Sequence, residues 1–390
     1  MQDRALNRTY WGVLALGTVA MLAYLASVGR WPLADNGQVV ITDFAPVWAA
    51  AVRVLEGTPA LVYEHALHES YYASLIQRPA ASGLTYGYPP TSFLLIAPLG
   101  LLPYGAALAA YLLAGLALWF TVLRKIVGDT PAALAMALAW GGASQTLLLA
   151  QNGFLTAAAL AGGLVLLPRR PVLAGVLFGL LAVKPHLGLA LALFLLVRRD
   201  WQAIAAASAT LAIMVLTTLV LWGLPLWSGY IVASGEIAAI VASRTDTIIG
   251  GKMQSVLAIV INALPLGPGL AVHAVFAIAV LGMLVAVVWR RVAYPVQAAA
   301  VIAATALVTP YSFLYDCTML TAAAAFLLTQ PLERYERLAL LAVMALPGMW
   351  FFTATPLVPL TGCAILLLCL RRPRAEAAIR PLRDPPSLKA

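Results

Sequence analysis

Long apolar segments separated by short pairs of basic residues dominate this chain. Segments 10–29, 201–222 and 269–289 are long enough to cross the hydrocarbon core of a bilayer, which takes about 20 apolar residues. Hydrophobic residues make up 63% of the sequence and charged residues 10%, whereas a soluble domain has roughly 45–50% and 25%. The sequence therefore predicts an all-α polytopic membrane protein.

The basic pairs predict the orientation of the chain. A net charge of +9 could indicate nucleic-acid binding, but that function needs a continuous basic surface, and here the basic residues are short pairs between apolar spans. Such pairs are typical of the cytoplasmic ends of spans. The pairs are Arg124-Lys125, Arg169-Arg170, Arg198-Arg199, Arg290-Arg291 and Arg371-Arg372.

Placing every pair on the inside predicts about twelve crossings, with both termini inside. Residues 1–370 are expected to form a single membrane domain. Segments 30–90 and 223–252 are expected to be external loops, and 131–149 a single outward span. The basic, proline-rich tail 371–390 is expected to be disordered.

Segment 171–197 begins and ends at basic pairs, so it must go out and return. Its break is Lys184-Pro185, because proline removes a helical hydrogen bond. Each arm has only about 13 residues, or about 20 Å, so Lys184 should lie in a recess below the membrane surface. A cation at membrane depth costs about 2.5–3.5 kcal/mol and needs an anionic partner. That partner is either a carboxylate such as Asp316 or Asp43, or a phosphate.

The first external loop is predicted to contain two helices that lie at the membrane interface. Segment 43–56 has apolar residues on one helix face, with Thr42-Asp43 to cap its start and Gly57-Thr58-Pro59 to end it. A second helix is expected over 64–77. Asp43 could be a helix cap or a functional acid.

A small polar set remains on the side poor in positive charge. Gln151-Asn152-Gly153 is either a polar turn or a group that reads sugar hydroxyls. Arg244 and Lys252 are either solvated charges or phosphate ligands, and a structural turn is the simplest account of Tyr311, Tyr315 and Asp316. His65 and His68 do not have the usual spacing of zinc ligands on a helix. The polar set comprises Asp43, Gln151, Asn152, Lys184, His186, Arg244, Lys252 and Asp316.

An ordered series of short motifs resembles glycosyltransferase family 87. The motifs are Thr42-Asp43-Phe44…Trp48, Gly57…Tyr63, Tyr88-Pro89-Pro90, Gln151-Asn152-Gly153, Lys184-Pro185 and Thr309-Pro310-Tyr311…Tyr315-Asp316. The resemblance implies a GT-C fold and transfer from a polyprenyl-phosphate sugar in a bacterial inner membrane. It also implies that Asp43 is the catalytic base.

On this reading the enzyme moves a hexose or pentose, with mannose one candidate, to an envelope glycan or lipid acceptor on the periplasmic side. No cofactor or metal is expected, because the phosphate leaving group is already activated. The alternatives are a polytopic transporter of a polar or lipid-linked substrate and a non-catalytic membrane scaffold. The expected donor-phosphate ligands are Lys184, Arg244 and Lys252. The expected substrate contacts are Tyr88, Gln151, Asn152, His186, Tyr311 and Asp316.

Overall fold

The computed structural model describes residues 2–77, 86–243 and 252–374. Within these ranges the chain forms helices, and its only β contacts are isolated bridges. In chain order the α-helices are α1 (Gln2–Ser27), α2 (Ala45–Leu55), α3 (His65–Ile76), α4 (Phe93–Ile96), α5 (Tyr104–Val127), α6 (Thr130–Ala137), α7 (Gly142–Leu149), α8 (Gly153–Leu166), α9 (Pro171–Leu180), α10 (Gly188–Arg198), α11 (Trp201–Ser243), α12 (Val256–Val260), α13 (Leu266–Trp289), α14 (Tyr294–Val308), α15 (Leu320–Leu328), α16 (Arg334–Thr353) and α17 (Val358–Arg371).

Several of these helices are suited to a bilayer by length and composition. Among the described residues, 5 helices are long and apolar enough to cross a membrane, or 6 if the bent pair α6–α7 counts as one span. The five are α1, α5, α11, α13 and α16. Shorter apolar helices of 10–17 residues accompany them. The chain is a polytopic membrane protein, as its composition predicts.

Helix α14 lies at the centre of the packing. Every residue from Val296 to Val308 is buried, and the helix packs against α13, α15 and α17. Much of α14 is alanine. In a bilayer the hydrophobic effect does not drive helices together, and small residues favour association because they let the helix backbones approach closely. The apolar core therefore depends on close packing of α14, through its small side chains, against the neighbouring helices.

Helix α9 packs against α11 through two glycines spaced four residues apart. A Cβ atom on Gly175 would lie 2.4 Å from the Ala203 carbonyl oxygen, and one on Gly179 would lie 2.5 Å from Thr210 Cβ. Only glycine allows so close an approach of two backbones. This contact fixes the arm of the hairpin that leads to Lys184.

The structure confirms the predicted break at Lys184-Pro185. Helix α9 runs into a 3-10 turn at Leu181–Val183, and a second 3-10 turn at Pro185–Leu187 leads into α10. Lys184 lies between the two turns with φ −138° and ψ 74°. The tip of the hairpin is therefore irregular, and side chains there do not lie on a continuous helix surface.

Two expectations about the spans were wrong. Segment 131–149 is not one straight span, because α6 and α7 meet at an angle of 60° around Gly141, which has φ +104°. The segment after residue 223 is helical as far as Ser243, although it was expected to be a loop. Gly223 has non-helical φ and ψ, so it absorbs the bend, and Pro225 falls in the first turn after it, where its missing N–H costs little.

The first loop contains both predicted helices. Helix α2 is buried along most of its length, and the Trp48 indole donates to the Leu102 carbonyl at 2.9 Å. Phe44 stacks on Tyr111 of α5, with ring centroids 4.8 Å apart. A Cβ on Gly100 would lie 2.7 Å from the Ala51 carbonyl oxygen. Helix α2 is thus seated directly on the segment that leads into α5.

Candidate active site

Asp43 lies immediately before α2 and is turned away from that helix. Its half-buried carboxylate accepts a hydrogen bond from Gln151 Nε2 at 3.0 Å through Oδ2. The helix makes no side-chain cap bond to the residue at its start, and the local bond to the Phe44 N–H comes from Thr42 Oγ1 at 3.3 Å. Of the two roles left open for Asp43, the helix cap is therefore not observed, and its carboxylate faces the junction between α7 and α8.

Gln151 lies in the tight turn between α7 and α8. Ala150 adopts the left-handed conformation with φ 53°, and the Gln151 N–H donates to the Thr146 carbonyl at 3.0 Å. The Ala150 N–H donates to the Leu147 carbonyl, which completes a Schellman turn. Asn-Gly turn chemistry predicted a turn here, and the two hydrogen bonds of the turn set the position of the Gln151 backbone.

Lys184 and Asp316 form a buried ion pair. Lys184 Nζ lies 2.5 Å from Asp316 Oδ1, and the two side chains are 6% and 1% exposed. Asp316 Oδ2 accepts the Phe313 N–H at 3.1 Å, so both carboxylate oxygens are engaged. Of the partners considered for Lys184, the structure selects the Asp316 carboxylate.

Tyr88 lies between the two charged centres. Its hydroxyl donates to Gln151 Oε1 at 2.9 Å, and its ring centroid lies 6.0 Å from Lys184 Nζ. Burial raises the pKa of the Tyr88 phenol well above its ordinary value, and the Asp316 and Asp43 carboxylates act in the same direction. The phenol is therefore protonated and can act as a donor. Asp43 and Lys184 are linked through only two side chains.

Lys252 is a second cation near this site. The segment that carries it is joined to the loop before Asp316 by a bridge between Met253 and Phe313 and by a bond from the Gln254 N–H to the Ser312 carbonyl at 2.7 Å. Burial raises the pKa of Asp43 above its ordinary value, while the charge of Lys252 and the Gln151 hydrogen bond lower it. Lys252 is thus close enough to act electrostatically on Asp43.

The other predicted residues lie at varying distances from this cluster. Asn152 is 8% exposed, and its Oδ1 atom has no hydrogen-bond partner among the described residues. Tyr311 packs beside Met253 and Phe313 in a small apolar cluster. His186 is exposed at the hairpin tip. Arg244 lies outside the described residues.

A long apolar cavity of about 460 Å³ opens beside Tyr88 and Asn152. Val183, next to Lys184, also lines this end, and the cavity continues along α5 and α8 to Lys125. The lining residues of α5 run from Tyr111 to Lys125, a distance of about 20 Å at 1.5 Å per residue. The cavity is therefore long enough for an extended hydrocarbon chain with one end beside Tyr88 and Asn152.

The motifs named Tyr63 and Tyr315, but the sequence did not single out Tyr104 and Tyr111 as aromatic residues that support the site. Tyr104 donates to the Val40 carbonyl at 3.2 Å, and Tyr63 donates to the Tyr88 carbonyl at 2.8 Å. The ring of Tyr315 lies 4.6 Å from Lys184 Nζ. The separation of Tyr104 and Tyr111 by two helical turns was the available signal, because it places both rings on one face of α5.

No group of three or more His, Cys, Asp or Glu residues that could hold a metal ion occurs in the part of the chain that the structure describes. The two histidines of α3 have separate partners. His68 Nε2 bonds to the Pro46 carbonyl at 2.9 Å, and His65 Nε2 lies 3.6 Å from Glu236. His68 therefore joins α3 to α2 within the first loop, and His65 lies near Glu236 of α11.

Comparison with known families agrees with this site. The model of glycosyltransferase family 87 matches residues 86–315. The chain belongs to this family. It is therefore a membrane glycosyltransferase, which confirms the resemblance carried by the motifs. The matched region contains Tyr88, Gln151, Lys184 and Lys252, whereas Asp43 precedes it. No curated protein and no solved structure matches the chain.

Proposed function

We propose that this family 87 member transfers a hexose or pentose from a polyprenyl-phosphate donor to an envelope glycan or lipid acceptor. The proposed site faces the periplasm from a GT-C fold with about twelve crossings and cytoplasmic termini. The observation that carries the proposal is the contact chain Asp43–Gln151–Tyr88, whose last ring faces Lys184. It joins an acid and a cation beside an apolar cavity.

Contacts among the basic helix ends support the proposed orientation. Arg290, at the end of α13, donates to the carbonyls of Leu370 and Arg372. Arg8 pairs with Asp129 at 2.7 Å. The basic ends thus associate with one another, as expected if they share the cytoplasmic side, and the proposed site lies at helix breaks that they do not contact.

The apolar cavity supports a lipid-linked donor. A polyprenyl chain could lie along α5 and α8, while its phosphate and sugar remain at the mouth beside Tyr88 and Asn152. A soluble nucleotide-sugar would have no use for about 20 Å of apolar lining. Asn152 lines this mouth, and its Oδ1 atom, which has no hydrogen-bond partner in the described part of the chain, is proposed to accept a hydrogen bond from a sugar hydroxyl.

Asp43 is the proposed general base. One carboxylate oxygen takes the proton of the acceptor hydroxyl while the acceptor oxygen attacks the anomeric carbon. The bond from that carbon to the phosphate oxygen breaks, and its electron pair leaves with the polyprenyl phosphate. A single displacement of this kind inverts the anomeric configuration.

Lys184, Lys252 and Arg244 are the proposed ligands of the departing phosphate, because fixed positive charge stabilises the negative charge that develops there. Lys184 already binds Asp316, so a donor phosphate would have to share or replace that carboxylate. Lys252 acts on Asp43 and is available near the same centre. Asp316, Tyr311 and His186 remain proposed substrate contacts of the surrounding loops.

A transporter is the alternative. Transporter sites lie near the bilayer midplane between repeats and open alternately to both sides. The polar contacts described here instead connect the loop before α2 to helix breaks at the tip of the α9–α10 hairpin. Membership of a glycosyltransferase family also favours the enzyme.

The decisive test replaces Asp43 with Asn in purified protein reconstituted in liposomes. The liposomes contain radiolabelled polyprenyl-phosphate mannose, polyprenyl-phosphate glucose or a polyprenyl-phosphate pentose, with cell-envelope lipid extract as acceptor. Asp43→Asn should abolish sugar transfer and leave the thermal unfolding temperature close to that of the wild type. The matched control, Asp35→Asn, changes an exposed acid of the same loop and should retain transfer. Transfer by the Asp43→Asn protein would remove Asp43 from the mechanism.

The donor-phosphate role of Lys184 has a separate test. In Lys184→Met, the KM for the polyprenyl-phosphate donor should rise more than the KM for the acceptor. The reverse pattern would count against a phosphate contact.

A further inference from the structure

The Gln151 side chain is held at both ends by groups whose chemistry allows one arrangement. A carboxylate only accepts hydrogen bonds, so the Gln151 atom facing Asp43 at 3.0 Å is the amide nitrogen. The amide oxygen then faces Tyr88, whose protonated hydroxyl donates to it at 2.9 Å. The orientation of the amide is therefore fixed by its partners.

The supports of this amide are themselves fixed. The Schellman turn at Ala150 holds the Gln151 backbone. The Tyr88 backbone carbonyl accepts the Tyr63 hydroxyl at 2.8 Å, and the Tyr88 ring meets the edge of Tyr86 with centroids 5.4 Å apart. Gln151, positioned by these contacts, therefore fixes the position of Asp43 Oδ2, the carboxylate oxygen that it binds.

The second oxygen of Asp43 is left available. Within the part of the chain that the structure describes, Oδ1 accepts no hydrogen bond, whereas Oδ2 is bound by Gln151. A general base needs one oxygen anchored and the other free to receive a proton. The geometry around Asp43 meets both conditions.

We propose that Gln151 is a positioning residue, whose amide, locked by Tyr88, anchors Asp43 Oδ2 so that Oδ1 faces the acceptor hydroxyl. This assignment rests on the proposed function of Asp43 as the base. It gives Gln151 a role that differs from the substrate contact expected from the sequence. Gln151 acts through Asp43 and does not bind the sugar itself.

Loss of the Gln151 amide should shift the pKa of Asp43 in one direction. The groups that face Asp43 are Gln151, the cation Lys252, and the phenols Tyr88 and Tyr315. The Gln151 bond favours the carboxylate form, so its removal raises the pKa of Asp43. Because the base must be deprotonated, the acid limb of kcat/KM then moves to higher pH.

The test compares Gln151→Met with Gln145→Met. The control makes the same substitution at a buried glutamine of α7 that does not bind Asp43. Gln151→Met should lower kcat about 10–100-fold, since loss of alignment is costly, and leave the acceptor KM within about twofold. The acid limb of its kcat/KM profile should move to higher pH by about one unit, which is the scale of a hydrogen bond to a charged group. Gln145→Met should leave the acid limb unchanged.

A second readout does not depend on turnover. Dicyclohexylcarbodiimide reacts with protonated carboxyl groups in apolar surroundings, and mass spectrometry can follow labelling of the Asp43 peptide against pH. The labelling midpoint should be higher in Gln151→Met than in the wild type. Tyr88→Phe keeps the Gln151 side chain but frees its amide, and should produce a smaller shift in the same direction even if Gln151→Met folds poorly.

The outcomes separate this inference from the function on which it rests. A raised acceptor KM with an unchanged acid limb and an unchanged labelling midpoint would assign Gln151 to substrate contact and overturn the inference. If Asp43→Asn retains transfer, the general-base proposal fails, while the labelling midpoint still tests the Gln151–Asp43 contact.

Discussion

Lys184 donates to Asp316 across 132 positions of the chain, and the pair joins the tip of the α9–α10 hairpin to the 3-10 helix Leu314–Met319 that leads into α15. Both side chains are almost completely buried. Asp316 neutralises the Lys184 ammonium, which would otherwise raise the free energy of inserting this hairpin into a membrane. The pair also places a cation beside the ring of Tyr88, whose hydroxyl reaches the amide that binds Asp43.

This pair predicts a non-additive stability effect. Lys184→Met or Asp316→Asn should each lower the free energy of unfolding by about 3–5 kcal/mol where a buried charge is left without its partner. The double variant Lys184→Met/Asp316→Leu should recover most of that loss. Thermal unfolding in detergent measures all three. Equal destabilisation by the single and double variants would contradict the pairing, and recovery of transfer by the double variant would remove Lys184 from donor binding.

The site predicts a pH dependence with a defined sign. Burial raises the pKa of Asp43 and Lys252 lowers it, so Lys252→Met should raise this pKa further. Since the deprotonated form acts as the base, transfer is lost as pH falls, and the loss should begin at higher pH in Lys252→Met. Rate profiles from acidic to neutral pH measure the shift. Arg30→Met, which removes an exposed charge after α1, is the control and should not move the profile.

The junction of α8 with the 3-10 helix before α15 should not tolerate a side chain at Gly153. A Cβ there would lie 2.4 Å from the Tyr315 carbonyl oxygen and 2.4 Å from Thr146 Oγ1. Gly153→Ala should therefore destabilise the protein by about 1–3 kcal/mol and displace Gln151, which lies two residues earlier. Thermal unfolding and transfer rate are the measurements. Gly282→Ala, with no atom within 4 Å of the added carbon, should be close to neutral, and similar losses in both variants would argue against this close approach.

Narrowing the cavity should discriminate between donors by chain length. Ala159 lines the cavity on α8, so Ala159→Phe should raise the KM for a donor with a long polyprenyl chain several-fold. A donor with only two isoprene units should be affected little, because its chain does not extend along α5. Val275→Phe, at a 69% exposed position of α13, is the control. Equal effects on both donors would place the lipid chain elsewhere.

Local sequence chemistry predicted the breaks and helices that position the site. Lys184-Pro185 predicted the hairpin tip because proline disrupts a helix wherever the helix lies. The apolar spacing of 43–56 predicted α2, and basic pairs predicted the helix ends. These features depend on residues within a few turns of one another, so the sequence contains the necessary information.

Partners distant in sequence could not be predicted in the same way. The residues alone left Lys184 with Asp316, Asp43 or a phosphate, and the choice depends on tertiary packing. Asp43 looked equally suited to a helix cap, because nothing local indicated that Gln151 would lie 3.0 Å away. Segment 223–252 was predicted to be an external loop, but after a bend at Gly223 the chain is helical as far as Ser243. Tertiary contacts overrode local preference at each of these positions.

The separation of Lys184 and Asp316 also affects biosynthesis. A ribosome makes the hairpin well before it makes the counter-ion of the lysine, so the tip first meets the lipid with an unneutralised ammonium. That group must remain near water until about four-fifths of the polypeptide has been translated. Final seating of the hairpin is therefore a late step of maturation, and a chain truncated before residue 316 should leave the tip accessible to water-soluble amine reagents.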